Sequence, residues 1–293
     1  MAASLGYRPS QIARGLVTRQ STTFGLVMPD VANPFFAQIA RGAEDVAYSH
    51  GYSLFLINTG EDPDREKSAM NSLLEKEIDG AVLCGSRLSQ DEMIKYLEVL
   101  PAAVLVNREL DLPDVHAASL NVDDSSGAQI AVDYLVNQGR NKVAFITGPE
   151  NSVSGRRGLK GYQAGLNAHG IALQRERLEF CSPTTDGGES AAMQLLQRCP
   201  EVNAVLAFND LVTVGVIRAC QHTGRSVPAD VSVIGADDIP LAALTNPSLT
   251  TLHVDLNALG SQVMMALLNL IDSPLGVAEK ILIQPELRIR QSA

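Results

Sequence analysis

FGLVMPDVANPFFAQIARGAEDVAYSHGYSLFLIN, residues 24–58, opens and closes on short apolar runs rich in branched side chains. Between them, apolar residues return at a spacing of roughly 3.6 residues, the period of a helix with one buried face. The stretch therefore reads strand, helix, strand: FGLVMP (24–29), FFAQIARGAEDVAYSHG (35–51) and SLFLIN (53–58). The pattern continues outward. GAVLCG (80–85) and AAVLVN (102–107) read as strands, while DREKSAMNSLLEKEI (64–78) and SQDEMIKYLEVL (89–100) read as helices. Alternation of this kind predicts α/β architecture, a parallel sheet with helices on both faces.

The second half repeats the first. Shifted by 119 residues, FGLVM (24–28) falls on VAFIT (143–147) and RGAEDVAYSHGYSL (41–54) on KGYQAGLNAHGIAL (160–173). Gly42 then matches Gly161, His50 matches His169, and Gly51 matches Gly170. Each histidine–glycine pair ends a helical pattern before a strand, so the glycines are expected as left-handed caps with the histidines favourable at the helix carboxyl ends. Two similarly built domains follow, as the length of 293 residues also suggests. Ligands of open parallel sheets bind beyond the carboxyl ends of the strands. Two such domains facing each other would enclose a cleft lined by PDVANPFF (29–36) and GPENSVSGRR (148–157).

Composition narrows the function. With 45% hydrophobic residues the chain can bury substantial cores, yet no apolar run reaches the roughly 18 residues of a membrane span. The start shows no apolar signal core, so export is not expected and a cytoplasmic protein is. Cys84, Cys181, Cys199 and Cys220 sit singly without metal-ligand spacing and read as reduced packing residues. Phosphate-cradling, nucleophile-elbow and zinc-protease motifs are lacking and the histidines are scattered, so neither an enzyme nor a cofactor or metal is expected. Formal charge is −10 overall, but residues 1–29 hold Arg8, Arg14 and Arg19 and no acid. An acidic body repels polyanions, which confines any nucleic-acid contact to that arm.

LGYRPSQIARGL (5–16), PDVANPFFAQIARGAEDVA (29–47), NVDDSSGAQIAVDYL (121–135), AFNDLVTVGVIRA (207–219), VPADVSVIGADDIPLAALTNPSLTT (227–251) and PELRIRQS (285–292) closely resemble the lactose-repressor family of bacterial transcription regulators. The resemblance implies the type I periplasmic-binding-protein clamshell: two doubly wound parallel-sheet domains after a short hinge. Residues 1–20 would be a headpiece remnant and DNA hinge. Residues 21–121 with 253–283 would form one effector-binding subdomain, and 122–252 with 284–293 the other. LGYRP marks, by the same resemblance, the end of a helix-turn-helix headpiece. Leu16 falls where family members wedge a leucine into the minor groove, bending the duplex, and Arg8, Arg14 and Arg19 would meet phosphates. A hinge helix this short is marginal in water, and Gly15 costs it roughly 1 kcal/mol.

The resemblance also implies a homodimer that senses a small effector, a sugar, sugar derivative or purine, to control operator binding. A solute-binding protein of a sugar transporter is the alternative with the same fold. Asp30 and Asn33 offer hydrogen bonds and Phe36 a flat apolar face that suits sugars and bases. Phe35 either lines the cleft or packs in the core. Asn209, Asp210 and Asp237 follow strands, where effector contacts converge, and Asn107 ends AAVLVN. Asp238 reads as a turn or capping residue. Two departures from the family bear on the ligand. The arginine that many members carry four residues before the aromatic of the glycine–aromatic step is Gly158 here, leaving Arg156 or Arg157 to substitute. The segment PTTDGGES (183–190) offers no aromatic side chain.

Overall fold

Branched and apolar runs bounded by polar turns form the strands, and helices begin where a side-chain oxygen can cap the first free amides. A computed structural model describes residues 21–108, 116–272 and 279–293. In chain order they form β1 (Thr23–Met28), α1 (Pro34–Ser49), β2 (Ser53–Asn58), α2 (Pro63–Glu75), β3 (Gly80–Cys84), α3 (Gln90–Leu97), β4 (Ala103–Val106) and β5 (Ala117–Val122). Then come α4 (Asp124–Asn137), β6 (Val143–Thr147), α5 (Val153–Ala168), β7 (Leu178–Phe180), α6 (Thr185–Arg198), β8 (Ala204–Ala207) and α7 (Asp210–His222). The chain continues through β9 (Ser232–Asp237), β10 (Thr250–His253), α8 (Leu256–Asp272), β11 (Lys280–Ile283) and β12 (Glu286–Arg288). Arg8, Arg14, Leu16 and Arg19, the proposed DNA hinge, lie outside the described residues.

Two compact units result. One runs up to Leu120 and takes in Asn257–Ile281; the other comprises Asn121–Leu256 and Leu282–Ala293. The first unit's sheet has the order β11-β5-β4-β3-β1-β2 and the second's β12-β10-β9-β8-β6-β7. Strand for strand these are one topology, with β1 and β6 as counterparts, so the repeat in the sequence is a repeat in the fold. β1 pairs in parallel with β2 and β3, and β6 with β7 and β8. Central strands such as β3, β4, β6 and β8 are buried along their whole length, as strands covered on both faces must be. β2 lies at an edge and exposes Ser53, Phe55, Leu56 and Asn58.

Each sheet carries its own apolar layers. Met70, Leu73, Leu83, Met93 and Leu105 pack on one face of the first. In the second, Ala192, Leu195, Val205, Val216 and Val233 fill one face, and Val132, Leu135, Phe145, Tyr162 and Leu206 the other. The Tyr162 hydroxyl, fully buried, donates to the Val143 carbonyl at 2.9 Å. The histidine–glycine pairs do what their spacing predicts: His50 and His169 are C-caps and the next residues, Gly51 and Gly170, take φ of 79° and 68°. Cys84, Cys199 and Cys220 are buried and Cys181 half-buried, all as free thiols; burial alone pushes the Cys84 thiol up to about 12.

Candidate functional site

In the first unit the predicted ligand residues follow the ends of β1 and β4. Asn33 is buried and caps α1, its side-chain oxygen accepting from the Phe35 amide at 3.0 Å. Asp30 accepts from the Ala32 amide at 2.9 Å in an exposed turn, keeping a second oxygen open at the strand end. Of the two aromatics, Phe35 is the core residue, only 8% exposed. Phe36 is half-exposed and meets it edge-on, with ring centroids 5.0 Å apart. Asn107 follows β4 in the left-handed region, at φ 56°, and its amide donates to the Leu120 carbonyl at 3.1 Å.

The second unit gathers more chemistry. Asp237 closes β9 at φ 100°, and Asp238 follows at φ 52°. Two consecutive left-handed residues turn the chain sharply at the strand end. No described residue donates a hydrogen bond to the Asp237 carboxyl. Asp238 is spoken for: Arg290 lies 2.6 Å away, His253 2.9 Å and Arg288 3.0 Å. Asn209 caps α7, its oxygen accepting from the Val212 amide at 2.9 Å. Asp210 is sealed inside, accepting the Thr251 hydroxyl at 2.6 Å and the Ile239 amide at 2.9 Å. It therefore braces the segment that holds Asp237, and Gly235 makes this possible, because a Cβ there would stand 2.5 Å from the Asp210 oxygen.

The two adjacent arginines part company. Arg157 turns onto α4, with Nε 2.9 Å and Nη2 2.8 Å from the Asp124 carboxylate and Nη1 3.4 Å from the Asn121 side-chain oxygen. Among the described residues Arg156 donates to the Glu150 carbonyl alone, at 3.2 Å near solvent. Beside the Arg157–Asp124 pair is a recess of about 40 Å³ lined by Asp124, Ser154, Gly158, Phe145, Phe208 and Ala236, among others. Such a volume holds a water or two but no sugar ring. Ser154 falls in the 148–157 segment expected to line a cleft, whereas Asp124 and Phe208 were not singled out in the sequence, although Asp124 follows an apolar run as Asp210 and Asp237 do.

Burial raises all three acids. It lifts Asp237 well above the ordinary carboxyl range, with the nearby charges of Asp210 and Asp124 adding to the rise. Burial pushes Asp210 up to about 7 against its two hydrogen bonds. Asp124 rises to about 6, again through burial, with Arg157 opposing. Its side chain is still 23% exposed, so solvent moderates that rise. The strand ends of the second unit thus hold Asp124, Asp210, Asp237 and Asp238, and the guanidiniums of Arg157, Arg288 and Arg290 there are already engaged by Asp124 or Asp238.

Residues 21–291 match the family described as periplasmic binding proteins and the sugar binding domain of the LacI family. The chain belongs to this family. Among curated LacI-type relatives, the HTH-type transcriptional repressor CytR of Escherichia coli K12 is 33% identical over 271 residues, covering 92% of this chain and 78% of that protein. Among solved structures, the lac repressor dimer bound to operator and the anti-inducer ONPF superposes with a TM-score of 0.88 at 25% identity, covering 99% of this chain and 87% of that one. The CelR–cellobiose complex gives 0.86 at 26% identity, covering 100% and 88%. These relatives are transcriptional regulators, and they favour a ligand-sensing regulatory core over the transporter binding protein of the same fold. No described helix is long and apolar enough to cross a membrane.

Proposed function

We propose that this chain is the effector-sensing, dimerising part of a cytoplasmic repressor, in which a small sugar-like or nucleobase-like ligand binds without turnover and alters affinity for operator DNA. The observation that carries the reading is Asp237: a carboxyl at a strand end, with no internal donor, braced from behind by the sealed Asp210. Within the second unit Arg157, through its pair with Asp124, joins Asp237 in the proposed set, supported by Asn209 and Asp210; within the first, Asp30 and Phe36 are the proposed contacts, supported by Asn33. Phe35 belongs to the core, and Asn107 contributes its place at the end of β4. A ligand shifts the regulator's equilibrium only by its differential affinity for the two states.

The relatives support this reading by what their names state: an operator complex for the lac repressor and bound cellobiose for CelR. A thermal-shift screen with sugars, polyols, nucleosides and purines tests it, since a ligand at 100 times its Kd adds about 2.7 kcal/mol. A hit should vanish in Asp237→Ala while that variant unfolds as cooperatively as the parent. Unchanged affinity in the variant would remove Asp237 from the site.

A further inference from the structure

Among the described residues, the strand ends of the second unit offer no uncommitted positive charge beside Asp237. Of the guanidiniums near them, Arg157 is held by Asp124 and Asn121, and Arg288 and Arg290 are held by Asp238. Arg156 is turned toward the Glu150 carbonyl in solvent. Helix starts are the other natural anion sites, but those of the second unit are occupied by the chain's own oxygens. Asp123 accepts from the Ser126 amide at 2.9 Å, Ser152 from Gly155 at 3.1 Å, Thr184 from Gly187 at 3.1 Å and Asn209 from Val212 at 2.9 Å. At α4 the capping group is itself a carboxylate. A phosphate brought here would lose its water without gaining a cation or a free set of amides, and would face Asp237 and Asp124. Ligand hydroxyls meet the opposite situation: the unengaged Asp237 carboxyl accepts from them in either protonation state.

We propose that this edge admits an uncharged, hydroxyl-rich effector and rejects its phosphorylated counterpart, with Asp237 as the residue that sets the discrimination. The proposal rests on the reading that the effector binds at Asp237.

Matched pairs test it: ribose with ribose 5-phosphate, glucose with glucose 6-phosphate, and adenosine with its 5′-monophosphate, titrated calorimetrically into the full chain at pH 7.5. At least one uncharged member should bind, with its phosphorylated partner weaker by about 100-fold or more, as expected for an unpaired charge in a partly desolvated site. Asp237→Asn keeps the shape and cannot ionise at any pH, so the gap should narrow to about 10-fold while circular dichroism stays unchanged. A phosphorylated member binding as tightly as its partner overturns the proposal and leaves the effector-site reading standing. A gap that persists in Asp237→Asn overturns the role given to that residue. Binding by none of the six probes defeats both the proposal and the reading beneath it.

Discussion

Gly161 of α5 lies so close to α4 that a Cβ on it would overlap the carbonyl oxygen of Ser125. Gly42 of α1, its partner in the repeat, stands in the same relation to the Asn257 carbonyl in α8. The repeated glycine is thus a packing requirement: two helix backbones approach too closely for any side chain. Gly161→Ala and Gly42→Ala should each cost about 1–3 kcal/mol through overpacking. Gly170 has open space around it but a φ of 68°, so Gly170→Ala should cost only about 1 kcal/mol. Urea unfolding of the three variants checks the order, and a Gly170 variant less stable than Gly161→Ala would contradict it.

Periodicity made much of this fold legible because each signal was local. Helices needed only their apolar stripe and a cap, and strands only a branched run. The glycine at 161 could be matched to Gly42 in sequence, but its reason lay in a backbone about 36 residues away along the chain. The site was less legible for the same reason. Strand-end acids could be picked out one by one, yet nothing in ND or DD says which acid a distant Thr251 or Arg290 will claim. Asp210 and Asp237 look alike on the page. One is sealed by Thr251 and Ile239, whereas the other is left without a donor. Asp124 was passed over because its importance comes from Arg157, one turn into another helix.

The neighbouring arginines should separate cleanly on substitution. Arg157→Ala removes a partly buried partner of Asp124 and should cost about 1–3 kcal/mol, the range for a charge-assisted hydrogen bond. Arg156→Ala loses one contact near solvent and should stay within about 0.5 kcal/mol. Chemical denaturation of both variants decides it; equal losses would show that the Arg157–Asp124 pair carries no special weight.

If this chain assembles as the operator-bound lac repressor does, light scattering at micromolar concentration should give twice the chain mass. Tyr48 on α1 is 78% exposed, and Phe55 and Leu56 on the edge strand β2 are 45% and 46% exposed. An apolar, unpaired edge of this kind invites a second copy. Tyr48→Glu with Leu56→Glu should therefore shift the population toward single chains. A dimer indifferent to both changes would move the contact elsewhere.

The last prediction concerns pH and Asp210. Its folded pKa, about 7, lies above the ordinary carboxyl value because burial disfavours the charge. Between roughly pH 4 and pH 7 the folded chain therefore holds a proton at this site that the unfolded chain has released. Stability from this group is complete below the unfolded value and is lost as pH rises through the folded one. Asp237 and Asp124, both raised by burial, act in the same direction. Glu92 acts in the opposite direction, since its hydrogen bond to Lys67 lowers it to about 2, so its contribution fades only at more acid pH. The fold should accordingly be most stable near pH 5 and weaken toward pH 8. Asp210→Asn has no proton to lose. Its oxygen can still accept the Ile239 amide, and its amino group can donate to the Thr251 hydroxyl, which rotates to receive it. At about 1.4 kcal/mol per pKa unit, the variant should match the parent near pH 4 and exceed it by a few kcal/mol near pH 8. Urea unfolding at the two pH values measures the difference; parallel losses in parent and variant would show that Asp210 is ionised throughout and that its charge is compensated inside the fold.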